Sequence, residues 1–134
     1  MEKILNLGRW LFPLSFLLYV GLHFGLPEAG ARLVPAWIPF PLFWNYFTGV
    51  LITLFIVSCL IGKYDKLATV LMAVYVLLMI LLVHIPRAAT SENDMLNIFR
   101  NLMVIGALLV YAKYVAKDDR LVSLKAGKKP SFIG

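Results

Sequence analysis

Four long apolar runs, at residues 10–26, 43–62, 67–85 and 96–112, limit what this chain can become more than any other feature. Each is 17 to 20 residues long, against the roughly 20 helical residues that cross a hydrocarbon core. At that depth every backbone amide and carbonyl must bond within protein, which leaves helices or a closed barrel. The runs are continuously apolar and lack the period-two alternation of barrel strands, so the expected fold is all-α: an integral membrane four-helix bundle. The connection Lys63-Tyr64-Asp65-Lys66 is so short that its two flanking runs must form an antiparallel hairpin, and the other links suit an up-down-up-down order. A hydrophobic content of 61% and a mean hydropathy of +0.84 agree, and 134 residues make one domain.

Between the first two runs the chain cannot stay helical, because Pro27, Pro35, Pro39 and Pro41 each lack an amide donor and restrict the residue before them. Trp37, Trp44 and Tyr46 supply the amphipathic rings that settle at headgroup depth, so this stretch reads as a proline-rich interfacial turn. Lys3 and Arg9 ahead of an apolar run resemble a secretory signal, but no small-x-small cleavage site follows and three more runs do. The first segment is expected to be retained. The net charge of +6 does not point to nucleic acid, since the cations flank the apolar runs and form no single patch. Ten of them (Lys3, Arg9, Lys63, Lys66 and the six between residues 113 and 129) fall on one side of the four-span arrangement, and Arg32, Arg87 and Arg100 on the other. Positive-inside bias then puts both termini and the 63–66 hairpin in the cytoplasm. Residues 113–134 form a basic cytoplasmic tail, with the last helix expected to continue from Lys113 to Leu124, Lys117 to Arg120 solvated, and Gly127 and Pro130 ending it. One cysteine, Cys59, excludes an intrachain disulfide and a CxxC centre.

The polar residues inside the runs gather at the end opposite that tail. His23, Asn45, His84, Asn97, Arg100 and Asn101 lie within roughly 8 Å of the outer boundary at 1.5 Å per residue, and Glu28 and Arg87 stand just above. A guanidinium facing lipid is costly, so Arg100 is expected to face the bundle or a wet cavity, or to snorkel. Two readings follow: interhelical glue, or a pocket opening to the outer side and lined by Trp37, Trp44 and Tyr46. Such a pocket could hydrogen-bond a quinone headgroup through His23, His84 and Arg100. Zinc at His23, His84 and Glu28 is disfavoured, because the three come from separate segments without close ligand spacing. No nucleophile stands in register with either histidine, and Ser91 with Asp94 fits a helix cap better.

The chain resembles the DoxX-like family of small four-helix prokaryotic membrane proteins. The resemblance is carried by His23-Phe24 with Pro27-Glu28, Val34-Pro35-Ala36-Trp37-Ile38-Pro39, Phe43-Trp44-x-Tyr46-x-Thr48-Gly49, His84-Ile85-Pro86 and Arg100-Asn101-Leu102, over residues 10–112. It implies a four-helix bundle in a prokaryotic cytoplasmic (inner) membrane and association with redox-linked membrane complexes. Relatives tend to carry Arg-Asp where this chain has Arg100-Asn101, which argues against an intramembrane Arg-carboxylate pair here. The leading expectation is a non-enzymatic accessory or assembly subunit whose partners are the bilayer and other membrane subunits or further copies of itself. A quinone-binding subunit and a small-solute permeation pathway are the alternatives.

Overall fold

A computed structural model of the chain describes residues 1–120, and these are mostly helical with no strand among them. Four helices are long and apolar enough to cross a membrane: α1 (Glu2–Gly25), α3 (Pro41–Ile61), α4 (Asp65–Arg87) and α5 (Glu92–Tyr114). A short helix, α2 (Pro27–Ala31), lies in the proline-rich turn. The helices extend past the apolar runs because the charged ends, Glu2 to Arg9 and Glu92 to Asp94, continue the same backbone geometry outside the apolar zone.

Prolines shape α1 and α4 without ending them. Pro13, buried inside α1, has no amide for the carbonyl of Arg9. The Tyr111 hydroxyl of α5 donates to that carbonyl at 3.2 Å. In α4 the constraint from Pro86 coincides with a π turn over Ile80–His84, in which the Ile85 amide reaches back to the Ile80 carbonyl. The widened turn rotates His84 toward the stripe of Asp65, Thr69, Met72, Val76 and Ile80, all buried; an uninterrupted α-helix would leave it well to one side.

α3 and α4 are the centre, and α1 and α5 flank them: the buried share of the apolar window falls from 39% in α4 and 33% in α3 to 17% in α5 and 11% in α1. α1 packs on α3, α3 on α4 and α4 on α5. The core joins Phe16, Ile52, Phe55, Ile56, Cys59, Met72, Val76, Leu108 and Tyr111. α1 approaches α3 most closely at Gly49, where a Cβ would stand 3.0 Å from both the His23 Cβ and the Phe24 ring.

At the basic end the expected continuation of the last helix needs correction. The helix ends at Tyr114, and Asp118 is not solvated, its side chain being 10% exposed. The cause is Asp65, 2% exposed at the start of α4. Its carboxylate accepts the backbone amides of Lys66 (2.9 Å), Lys117 (2.8 Å) and Asp118 (2.8 Å). Asp118 answers by accepting the Tyr64 amide at 2.7 Å, and Arg120 pairs with Asp118 while lying 4.4 Å over the Tyr64 ring. Lys66 adds an ion pair to Asp119 at 2.6 Å. Helical geometry beyond Tyr114 would aim the amides of 117 and 118 back at their own helix, so a buried acceptor on the neighbouring hairpin wins them. Residues 121–124 of that expected helix, and the rest of the basic tail, lie outside the described residues.

Candidate functional site

The candidate polar residues fall into three constellations at the proline-rich end. The first joins α1, α2 and α3. Asn45, 3% exposed, donates from Nδ2 to the His23 carbonyl at 2.8 Å. Its Oδ1 is buried without a hydrogen-bond partner and rests against Gly30 of α2, where any Cβ would collide with it. A glycine Cα–H is the only group slim enough to cover that oxygen at such range. The His23 Nδ1 lies 2.7 Å from the Tyr19 carbonyl, and since a carbonyl only accepts, Nδ1 carries the proton. Nε2 is engaged by no described residue.

The second joins α4 to α5. The His84 Nδ1–H donates to the Asp94 carboxylate at 2.8 Å, with side chains 9% and 11% exposed. Ser91 caps α5, its Oγ accepting the Asp94 amide at 3.2 Å, as its position ahead of an apolar run led one to expect. Asp94 is the residue that sequence reasoning assigned to capping alone. Nothing in its spacing from His84 marks a pair, because the π turn that aims His84 is a backbone event.

The third is the α5 face bearing Asn97, Arg100 and Asn101. Asn97 and Asn101 are half-buried, Arg100 is exposed, and none makes a side-chain hydrogen bond or ion pair among the described residues. The remaining candidates lie apart from these groups. Glu28 is exposed in the first turn of α2, Trp37 is 74% exposed, and Tyr46 packs beside Phe24 with ring centres 6.1 Å apart. Trp44 donates from Nε1 to the Pro39 carbonyl at 3.0 Å, pinning the turn. Arg87 reaches the Arg32 carbonyl at 3.3 Å and ties the end of α4 to the same turn. An open concavity of about 510 Å³ lies over the 88–96 connection, and its lining of Ala88 to Leu96 includes none of the candidate residues.

Chemically, this set positions helices. Neither imidazole bonds a Ser, Thr or Cys side chain, and no group of three or more His, Cys, Asp or Glu residues could hold a metal, among the described residues. Comparison with protein-family models, curated proteins and solved structures gives no match.

Proposed function

We propose that the chain is a DoxX-like, non-catalytic accessory subunit of a larger membrane complex, set up-down-up-down in a prokaryotic cytoplasmic membrane. The basic end faces the cytoplasm and the proline-rich end faces outward, as the distribution of cations argues. The polar groups within the spans support a structural role for themselves: His84 with Asp94, Asn45 with His23, and Tyr111 with Arg9 each join two helices. A quinone headgroup has less support, because the two histidines stand in separate constellations with one ring nitrogen already committed in each. Permeation has less still, since Phe16, Phe55, Ile56, Met72 and Leu108 fill the middle of the bundle.

The observation that carries the proposal is the outward face of α1. Gly21 and Gly25 are exposed on the side turned away from Phe16 and His23, and a Cβ on either would meet nothing within 4 Å. Two small residues four apart let another transmembrane helix approach closely, and among the described residues they have no neighbour.

The test is the double substitution Gly21→Leu with Gly25→Leu. Because the monomer has open space there, thermal stability in detergent holds or rises, leucine being favoured over glycine by up to about 1 kcal/mol per helical site. Subunits that co-purify with the wild type in mild detergent are lost. A wild-type chain that leaves its native membrane alone and monodisperse, or a double variant that keeps its partner, overturns the proposal.

A further inference from the structure

One seam of the bundle is open. α1 and α5 are joined at the basic end by the Phe12 ring on Tyr111, centroids 5.6 Å apart, and by the Tyr111 hydroxyl on the Arg9 carbonyl. Beyond those contacts, α1 and α5 have no packing comparable to that between the other neighbouring helices. Those basic-end contacts also identify which sides of the two helices border the seam. Arg100 precedes Tyr111 by eleven residues, three turns with an offset of roughly 20°, so it lies on the same face of α5 about 16 Å farther along. Val104, half-buried, stands between them on that face. On α1, Tyr19 follows Phe12 by seven residues and shares its face in the same way, while His23, four residues further, sets its Cβ against Gly49 of α3.

The seam is therefore apolar and closed at its foot and carries a guanidinium near its mouth. Arg100 begins the third turn of α5, about 12 Å from the helix start at Glu92, which is within the hydrocarbon zone or at its margin if the 23-residue helix spans the bilayer. Its charge has no counter-ion among the described residues, and an unpaired guanidinium at that depth is expensive. The anion present beside it in every bilayer is the lipid phosphodiester. Its oxygens accept a bidentate guanidinium, and its acyl chains match the apolar channel below.

We propose that the seam between α1 and α5 holds one phospholipid, its phosphodiester on Arg100 and an acyl chain lying past Val104 toward Phe12 and Tyr111. The site shares the bilayer placement proposed for the chain but uses the Phe12 side of α1, not the Gly21 and Gly25 face. Loss of either does not entail loss of the other.

Native mass spectrometry of the purified chain, delipidated and then titrated with phosphatidylglycerol, tests this. The wild type takes up one lipid tightly; diacylglycerol, which has the tails without the phosphate, and inorganic phosphate, which lacks the tails, do not replace it. Arg100→Met weakens uptake at least tenfold, and Arg100→Lys restores part of it. Val104→Trp, which fills the channel and leaves the charge, also loses the lipid, so a poorly folded Arg100→Met chain does not stall the test. Undiminished uptake in Arg100→Met or in Val104→Trp, equal binding of diacylglycerol or of free phosphate, or a quinone as the molecule retained from native membranes overturns the proposal. Retention of a co-purifying subunit by Arg100→Met, with the lipid gone, separates this site from the docking face.

Discussion

Substituting Asp65 by alanine should release the segment after α5 while leaving the helices in place. The carboxylate accepts three backbone amides, and two of them, from Lys117 and Asp118, belong to a part of the chain 52 and 53 residues away. Hydrogen bonds to a charged acceptor contribute about 1.5 to 3 kcal/mol each. Both amides are only partly buried, so water recovers some of the loss, and about 3 kcal/mol for the two together is the reasonable figure. At 1.4 kcal/mol per factor of ten, local opening of residues 117–118 becomes about a hundredfold more frequent. Amide hydrogen exchange in detergent reads this directly, since protection of a locally opening site reports the free energy of that opening. Lys117 and Asp118 should lose about two orders of magnitude of protection, while amides in the middle of α3 and α4 keep theirs. Asp65→Asn should fall between, because it retains one acceptor oxygen and turns an NH₂ toward a donor. If protection at 117 and 118 is unchanged in Asp65→Ala, the clamp is not what holds the segment and the account of why α5 stops at Tyr114 is wrong.

Gly30→Ala should destabilise the chain by about 1 to 3 kcal/mol in thermal melts, through collision with the Asn45 side chain. Asn45→Ala alone should cost about 1 kcal/mol for the bond to the His23 carbonyl, and the double variant less than the sum, because the collision disappears with the amide. The Arg120 guanidinium, with help from the Tyr64 amide, holds the Asp118 carboxyl far below the usual carboxylate range. A folded value lower than the unfolded one means stabilisation that is complete above the unfolded value near 4 and lost only as pH falls through the depressed one. The protection factor of the Tyr64 amide should thus be flat from pH 7 to about 4 and decline in stronger acid; a decline beginning near pH 6 would contradict the assignment.

The four apolar helices were legible because the signal is length against a fixed thickness, which needs no knowledge of what packs on what. Their limits were less so: Glu2, Lys3, Arg9 and Glu92 to Asp94 are polar yet helical, and hydropathy is blind to that. The depth of His23, Asn45, His84 and Arg100 could be counted along each run. What they bond to could not, because that depends on helix rotation, and rotation was set by a π turn at Ile80–His84 and by prolines at 13 and 86. Asp65 was invisible as a clamp, since its partners are backbone amides, which every sequence has everywhere. Asp94 was read correctly in its local relation to Ser91 and missed in its distant one to His84.

The carbonyl of Arg9 bears on how the chain is made. Translation delivers α1 with that oxygen already orphaned by Pro13, and its donor, the Tyr111 hydroxyl, follows 102 residues later on the last long helix. Until then the oxygen is left to water, which can reach it because Arg9 stands just outside the first apolar run. Water is an adequate stand-in for one carbonyl, so the first helix can form before its partner is made. The bond to Tyr111 is then a late one, made only when the last long helix packs against the first.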